Sequence, residues 1–237
     1  MDFASFQKKL AIFWKAFYEK GGYTEVLVGL KNTMLIAIVG LVIGIVIGTV
    51  IAAVAVQPRK NIWLKILNRI NDVYVGFFRG TPMVVQLLLG YFVILPIFGL
   101  NFAPVKVATV IMGLNSGAYV SEIMRSGILS VDIGQMEAGR ALGFRYGMTM
   151  WKIIIPQAVK NILPTLGNEF ISLVKETSVV SFVGAVDLYK AFRSIGSGTY
   201  EYMIPFLAMA IIYIAIIMII TLGINLMERR LRSGDKR

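Results

Sequence analysis

The sequence predicts an all-α integral membrane protein with five transmembrane helices, an N-terminal amphipathic helix and a short helix in a cytoplasmic loop. Of the 237 residues, 57% are hydrophobic and 16% are charged, whereas soluble domains contain roughly 45–50% apolar and about 25% charged residues. The apolar residues are gathered in long runs, and about 20 such residues suffice to cross a hydrocarbon layer of about 30 Å. These two observations favour a bilayer over an oversized soluble core.

The residue types that are missing limit the chemistry of the chain. It contains no Cys and no His, which removes thiol nucleophiles, imidazole bases, disulfides and the usual zinc ligands. The formal net charge is +11. In so apolar a chain this charge indicates loops beside an anionic leaflet rather than a nucleic-acid partner. We therefore expect no catalytic centre and no metal site.

The first 25 residues are predicted to form an amphipathic segment on the membrane surface. Helical spacing places the large apolar residues on one face and Lys8, Lys9 and Lys15 elsewhere, as in helices that lie in the interface. A frayed terminus before the first span is the alternative. The apolar face consists of Phe3, Phe6, Leu10, Phe13, Trp14 and Phe17.

The first span is predicted over 34–56, where 23 positions contain no charged residue. Gly40, Gly44 and Gly48 recur every four residues within it, and Ala52 continues the stripe. Small residues at this spacing let a second helix approach closely, either within the subunit or across a dimer. The remaining spans are predicted at 84–98, 105–127, 162–183 and 203–227.

The distribution of Lys and Arg predicts the orientation. With five spans, segments 57–82, 125–160 and 228–237 lie on one side and hold 15 of the 24 Lys and Arg residues. Because the side richer in Lys and Arg faces the cytoplasm, the N-terminus is expected outside and the C-terminus inside.

A cytoplasmic loop at 130–156 is too long for a plain turn. Asp132 and Gln135 have the spacing of a helix cap and its box partner, which predicts a short helix to Leu142 that ends at Gly143. A second short helix, Met148 to Ile155, is predicted to end before Pro156.

This loop carries many apolar side chains, which need to be covered. They either pack on the chain's own helix ends or contact a partner protein. The residues concerned are Met136, Leu142, Phe144, Tyr146, Met148, Met150 and Trp151.

The spacing of Glu137-Ala138-Gly139, Gly143 and Ile153-x-Ile155-Pro156 resembles the EAA loop of ABC importer permeases. Gly139 replaces the second Ala of that pattern and Ile155 replaces its Leu. Two further segments, Phe78 to Pro82 with Gln86 and Gly167 to Ile171 with Lys175, are similar to permeases for polar amino acids of the histidine, glutamine and arginine type. The resemblance covers residues 29–227, followed by a basic tail at 228–237.

The resemblance implies a type I importer transmembrane fold in a bacterial cytoplasmic membrane. It also implies a dimer of permease subunits, identical or different, with two cytoplasmic ATPase subunits and an external solute-binding protein. The residues expected to couple the permease to the ATPase are Glu137, Ala138, Gly139, Ala141, Leu142 and Gly143. The chain has no G-x-x-x-x-G-K-[ST] sequence for binding phosphate. ATP and Mg²⁺ are therefore expected on the partner, and this chain is expected to be neither an enzyme nor a cofactor protein.

Polar side chains recur at helical spacing within the third and fourth spans, where ionisable groups usually face a cavity or a partner. They are candidates for the path of a zwitterionic amino acid. The alternative is structural: Glu122 pairs with Arg125, and Glu169 bonds another span. Arg79 is expected to reach the headgroups. The candidate path residues are Asn115, Tyr119, Glu122, Asn168, Glu169, Ser172 and Lys175.

The function hypothesis is the permease subunit of an ATP-driven importer for polar amino acids. The acidic residues of the stripe favour a basic solute such as arginine, although both signs of charge are present. The rival hypotheses are a carrier driven by an ion gradient, which usually has more spans and broken helices, and a membrane assembly protein that uses the loop as an anchor.

Overall fold

Helices make up most of this computed structural model, which describes residues 3–57 and 61–233. Short π-helical segments at Lys15–Glu19, Gly90–Ile94 and Met150–Ile154 and a 3₁₀ segment at Thr177–Val183 connect some of them. The α-helices are α1 (Phe3–Trp14), α2 (Gly22–Ala55), α3 (Ile62–Gly80), α4 (Met83–Leu89), α5 (Leu95–Ile97), α6 (Pro104–Leu129), α7 (Ile133–Ala141), α8 (Tyr146–Thr149), α9 (Ile155–Glu176), α10 (Leu188–Thr199) and α11 (Met203–Ser233).

Three of the predicted spans correspond to longer helices, although α2 ends one residue before the end of the span predicted at 34–56. Helix α2 starts twelve residues before the predicted span 34–56, because polar residues such as Asn32 and Thr33 bond to a later connection instead of breaking the helix. Helix α6 matches the predicted span 105–127 to within two residues at either end. Helix α11 continues to Ser233, so the predicted basic tail is helical that far and its last four residues lie outside the described part.

The polar stretch after the first span is a helix rather than a plain connection. Asn61 caps α3 by accepting a hydrogen bond from the Trp63 N–H at 3.2 Å. Helix α3 ends at Gly80, and the next residue, Thr81, is extended before Pro82. Helices α4 and α5 with their π-helical segment cover the predicted second span, 84–98, except for its last residue. Arg59 and Lys60, expected in this stretch, lie outside the described residues.

Pro156 does not end a helix, contrary to the prediction. Helix α8, the π-helical segment Met150–Ile154 and α9 run on without a break, and Pro156 is the second residue of α9. Proline removes one backbone donor from a regular helix, and the wider π-helical turn directly before Pro156 is where the hydrogen bonding adjusts to this loss. The fourth predicted span, 162–183, accordingly starts seven residues late and ends in the 3₁₀ segment.

Within the described residues, α2 and α11 up to Leu231 are long and apolar enough to cross a membrane by length and composition alone. The bent pair of α3 with α4–α5 adds a third candidate if it counts as one span. Helices α6 and α9 do not meet the same test, and α6 carries Lys106, Glu122 and Arg125. The predicted number of five spans is therefore not established by helix composition.

The chain divides into two compact units. The first unit comprises Met1–Gly40, Pro82–Met112 and Ser172–Ile219. The buried core of its N-terminal part brings Phe13 and Ala16 against α10. The predicted apolar face of α1 is thus divided, because Phe13 is buried whereas Phe3 and Trp14 remain exposed.

A buried aspartate organises the connection before α10 in the first unit. The Asp187 carboxylate accepts hydrogen bonds from the Tyr189 and Lys190 N–H groups, both at 3.0 Å, and so caps α10. Gly29 lies against the Asp187 carbonyl, where a Cβ on residue 29 would come within 2.5 Å of the oxygen. Because Asp187 is fully buried, desolvation raises the pKa of its carboxyl from 3.8 to about 6, despite the two backbone bonds and nearby Lys190.

This raised pKa predicts a pH dependence of stability. The folded chain holds the Asp187 proton more tightly than the unfolded chain, so the free energy of unfolding should rise as the pH falls from about 6 to about 4, by about 3 kcal/mol in all. Asp187→Asn, which can still cap α10 through its amide oxygen, should lack this contribution. Thermal denaturation of the two proteins between pH 4 and pH 7.5 measures the difference. Parallel curves would contradict the assignment.

The second unit comprises Leu41–Thr81, Gly113–Ile171 and Ile220–Arg237. Its helices approach closely through glycines: a Cβ at Gly44 would lie 2.6 Å from the Ser116 hydroxyl, and one at Gly48 would lie 2.7 Å from Val120. This part of the small-residue stripe on α2 therefore packs against α6 of the same subunit, which was one of the two open alternatives. Ala158 and Ile162 of α9 complete the core around Val120.

Candidate coupling loop and solute path

The predicted coupling loop begins with a capped helix. Asp132 accepts a hydrogen bond from the Gly134 N–H at 2.7 Å, which confirms it as the cap of α7. Gln135 is not a box partner, because its side chain accepts from the Gln157 amide at 3.3 Å instead. Gly143 has a φ of +85° and ends the helix, as predicted from its position.

Gly139 forms the contact that holds α7 against α8. It is buried, and a Cβ at this position would lie 2.5 Å from Cγ2 of Thr149 and 3.2 Å from Cδ1 of Ile153. Thr149 is itself fully buried. The space that the methyl group of a second alanine would need in an EAA pattern is therefore filled by the methyl group of Thr149. This contact explains on steric grounds why position 139 holds glycine.

The loop is joined to the end of α2 by a hydrogen bond from the Tyr146 hydroxyl to the Val56 carbonyl at 3.4 Å. An apolar cleft of about 650 Å³ lies beside this bond, with Ala53, Met150 and Trp151 among its lining residues. The bond and the cleft belong to the second unit. A movement of α7 and α8 would therefore act on the end of α2 through the hydrogen bond between Tyr146 and Val56.

The outer surface of the loop is largely exposed. Ile133 and Leu142, at the two ends of α7, are 74% and 75% exposed, and Trp151 is 69% exposed. Met136, Tyr146 and Met150 are half-buried on the chain itself. Packing on the chain itself thus holds for Met136, Tyr146 and Met150, whereas contact of the exposed members with a partner protein stays a prediction. Of the predicted coupling residues, Gly139 alone is buried, and the exposed ones are Glu137, Ala138, Ala141, Leu142 and Gly143.

An ionic cluster joins α3 and α6 in the second unit. The Glu122 carboxylate accepts hydrogen bonds from Arg125 Nε at 3.2 Å and Nη2 at 2.9 Å. Arg79 Nη1 lies 3.8 Å from the same carboxylate, and its guanidinium stacks over the Tyr119 ring at 5.5 Å. All of these side chains are partly exposed. One carboxylate, two guanidinium groups and a ring thus converge at one place.

This geometry adds to the role expected of Arg79. The side chain contacts Glu122 and Tyr119, and its reach to headgroups stays a prediction. Asn115, a predicted path residue, is buried and donates to the Phe78 carbonyl at 3.1 Å, in the turn that carries Arg79. Asn115 therefore positions the end of α3. The sequence predicted the Glu122–Arg125 pair and singled out Arg79, but it did not predict that Arg79 meets Glu122, for which the one signal was the place of Arg79 just before the Thr81-Pro82 break.

Glu169 has a structural partner. The Ser116 hydroxyl donates to its Oε1 at 2.9 Å, which joins α9 to α6, and Gly44 packs directly over Ser116. This is the bond to another span that was the alternative to a solute contact. Ser116 was not singled out in the sequence, although it stands between Gly113 and Gly117 on the closely packed face of α6.

The other predicted path residues are more dispersed. Asn168 is exposed on α9 in the second unit, whereas Ser172 and Lys175 belong to the first unit, where Ser172 is half-buried and Lys175 is exposed. Among residues 3–57 and 61–233, no three His, Cys, Asp or Glu side chains are grouped so that they could hold a metal ion.

Comparisons with known proteins place the chain in a family. Residues 40–233 match the family described as binding-protein-dependent transport system inner membrane component. A chain from the crystal structure of an amino acid ABC transporter with histidines superposes with a TM-score of 0.79 and 37% identity, covering 97% of this chain and 99% of that one. The fold and the loop define a type I ABC transporter membrane subunit, and the chain belongs to this family of binding-protein-dependent inner membrane components.

Two curated relatives refine this result. The chain is 39% identical over 211 residues to the arginine transport system permease protein ArtQ of Bacillus subtilis strain 168, covering 89% of this chain and 94% of that protein. It is 37% identical over 205 residues to a putative glutamine transport system permease protein GlnP of Rickettsia bellii, covering 86% and 90%. The resemblance to amino acid permeases inferred from the loop and the two span segments is confirmed.

Proposed function

We propose that this chain is the permease subunit of an ATP-binding-cassette importer for polar amino acids, with basic amino acids such as arginine as the leading candidates. The observation that carries the proposal is the loop at 130–156, in which a capped, exposed helix is presented by a buried Gly139–Thr149 contact. A loop that only connected two spans would not need exposed apolar residues at both ends of α7. It would also not need the close Gly139–Thr149 contact that holds α7 in place.

The proposed mechanism is alternating access driven from this loop. Helix α7 sits in a cleft of the ATPase subunit, so that Ile133 and Leu142 are covered by the partner and Glu137 lies within reach of its polar groups. ATP binding brings two ATPase subunits together, and the docked helix moves with them. The spans then expose the solute path to the outside, and hydrolysis resets it. Each ligand must favour one of the two states for this cycle to run in one direction.

The solute path is proposed to include the ionic cluster on α3 and α6. A zwitterionic amino acid carries an ammonium and a carboxylate, and the cluster offers Glu122 to the first and Arg79 or Arg125 to the second. The side chains are half-exposed, so a solute can exchange with the internal ion pairs. Asn168, Ser172 and Lys175 remain candidate path residues, whereas Glu169 and Asn115 support the path through their own hydrogen bonds.

The proposed assembly contains two permease subunits, two ATPase subunits and an external solute-binding protein. The permease lies in the bacterial cytoplasmic membrane with five spans, its N-terminus outside and its C-terminus inside. The excess of Lys and Arg in segments 57–82, 125–160 and 228–237 supports this orientation. The same orientation puts the coupling loop on the side where ATP is available.

The solute class can be tested with the complete complex in lipid nanodiscs. ATPase activity is measured with the solute-binding protein and a panel of arginine, lysine, histidine, glutamine and leucine, each added alone. We expect stimulation of several-fold by at least one polar amino acid and none by leucine. Equal rates with every amino acid and without any would contradict the proposal. The complex without the binding protein serves as the control and should stay at its basal rate.

A further inference from the structure

The apolar cleft beside the Tyr146–Val56 bond has room for a small molecule. Its volume of about 650 Å³ lies within the range of about 300–1,000 Å³ that is typical of ligand sites. The lining residues come from α2, α6 and the helix that runs from α8 into α9, all in the second unit. Ala53 and Gly147 are among them, and a Cβ at Gly147 would meet nothing within 4 Å. Small residues thus leave this space open between the helices.

The cleft follows the end of a helix that is able to cross a membrane. Ala52, Ala53 and Val56 line it where α2 ends, and α2 is long and apolar enough to span a bilayer. Ala53 and Val159 are exposed lining residues, whereas Ala52 is buried, so the cleft has an open side. Open apolar surface of this kind marks a contact with a membrane or a partner. Beside a spanning helix, the apolar material within reach is lipid hydrocarbon.

Aromatic residues mark the polar end of the cleft. The lining residue Tyr146 donates its hydrogen bond to Val56 at the point where the apolar run of α2 gives way to Gln57. Trp151 also lines the cleft and is 69% exposed. Tyrosine and tryptophan are enriched at the level of lipid headgroups, because their rings have an apolar body and a polar tip. This end of the cleft is therefore expected at the headgroup level, with the remainder beside hydrocarbon.

Basic residues adjoin both aromatic residues. Arg145 directly precedes Tyr146, Lys152 directly follows Trp151, and both basic side chains are exposed. Between residues 140 and 168 the chain has four Lys and Arg residues and no Asp or Glu. Basic pockets between transmembrane helices on the cytoplasmic side bind anionic lipid headgroups. The charge at this end of the cleft thus favours an anionic headgroup over a zwitterionic one.

We propose that the cleft binds one anionic phospholipid, with an acyl chain along its apolar wall and the headgroup beside Arg145 and Lys152. A phospholipid matches both parts of the site, because it combines hydrocarbon with negative charge. A second copy of this chain, with its net charge of +11, would bring positive charge to a positive rim. The placement of the headgroup in the cytoplasmic leaflet rests on the proposed function, whereas binding of the lipid does not.

Lipid binding is tested on the purified full-length permease in detergent by native mass spectrometry. Phosphatidylglycerol and phosphatidylcholine with identical acyl chains are added separately over a range of concentrations. We expect one phosphatidylglycerol per chain to be retained, at a concentration about tenfold lower than phosphatidylcholine requires. Lys152→Gln should reduce this preference about fivefold without changing the retention of phosphatidylcholine. Equal retention of the two lipids by the unmodified chain would overturn the anionic class.

The site itself is tested by filling the cleft. Ala53→Phe places a ring in the cleft from an exposed position, and it should reduce phosphatidylglycerol retention about tenfold. Val46→Phe is the matched control, because Val46 lies two turns earlier on α2, is 60% exposed and is not a lining residue. It should retain the lipid like the unmodified chain. Equal retention by the two variants would overturn the assignment of the lipid to this cleft.

A phosphatidylglycerol with a photoreactive acyl chain locates the site in the unmodified permease. At one probe per chain, we expect the label on peptides covering 49–57 or 150–162, and we expect excess phosphatidylglycerol to remove it more effectively than phosphatidylcholine. Label confined to other segments would overturn the site. These measurements need neither ATP nor solute. Failure of import with lipid retained therefore counts against the proposed function alone, and import without lipid retention counts against the lipid site alone.

Discussion

Replacing Gly139 with alanine should uncouple ATP hydrolysis from transport, and replacing Thr149 with serine should restore the coupling. The added Cβ would lie 2.5 Å from the Thr149 Cγ2 atom, closer than real Cβ contacts, and both residues are buried. Forcing an extra methyl group into a packed site costs about 1–3 kcal/mol. The loop should relieve the clash by moving α7 away from α8, which displaces the surface that meets the ATPase.

Serine is the matched rescue because it lacks Cγ2 but keeps the hydroxyl, which donates to the Arg145 carbonyl at 3.3 Å in the native chain. We expect solute-stimulated ATPase activity to fall about tenfold in Gly139→Ala. It should return to within about twofold in the double variant Gly139→Ala/Thr149→Ser, and Thr149→Ser alone should be nearly silent. Wild-type coupling in Gly139→Ala, or no recovery in the double variant, would show that this contact does not position α7.

Neutralising Glu122 should impair transport far more than neutralising Glu169. Glu122→Gln leaves Arg79 and Arg125 without their shared carboxylate and removes the proposed partner of the solute ammonium. Hydrogen bonds to charged groups contribute about 1.5–3 kcal/mol. Because the cluster is partly exposed, solvent screening places the effect at the lower end of this range. The apparent affinity for the solute should therefore fall about tenfold.

Glu169→Gln is the matched control, because the glutamine oxygen can still accept the hydrogen bond from the Ser116 hydroxyl. Uptake by this variant should stay within about twofold of the unmodified complex, with unchanged apparent affinity. Initial rates of uptake across a range of solute concentrations distinguish the two variants. If Glu169→Gln loses affinity and Glu122→Gln does not, the solute path lies along α9 rather than at the ionic cluster.

The sequence predicted those features that depend on residues close together in the chain. The cap at Asp132, the helix end at Gly143 and the bounds of α6 follow from local rules of charge, capping and hydrophobic length, and the structure agrees with each of them. The spacing of the EAA-like residues identified the family for the same reason, since a loop motif is contained in about 20 residues.

Other features depend on residues distant in sequence and could not be predicted in this way. Position 139 holds glycine because the methyl group of Thr149 fills the adjacent space. Thr149 lies ten residues further along the chain, and the turn at Gly143 brings it against Gly139. Arg79 finds Glu122 because α3 ends at the Pro82 break. Pro156 was predicted to end a helix, but a π-helical turn before it let the helix continue. Each of these is a case in which tertiary contacts or backbone adjustment overrode a local rule.

Solute uptake by proteoliposomes that contain the permease, its ATPase and its solute-binding protein distinguishes ATP-driven import from other modes of transport. Radiolabelled arginine is supplied outside with the binding protein, and ATP is enclosed inside. We expect uptake against a concentration gradient that requires ATP, the binding protein and an intact coupling loop, with Gly139→Ala as the defective control. Uptake that continues without ATP and follows an imposed ion gradient would contradict it.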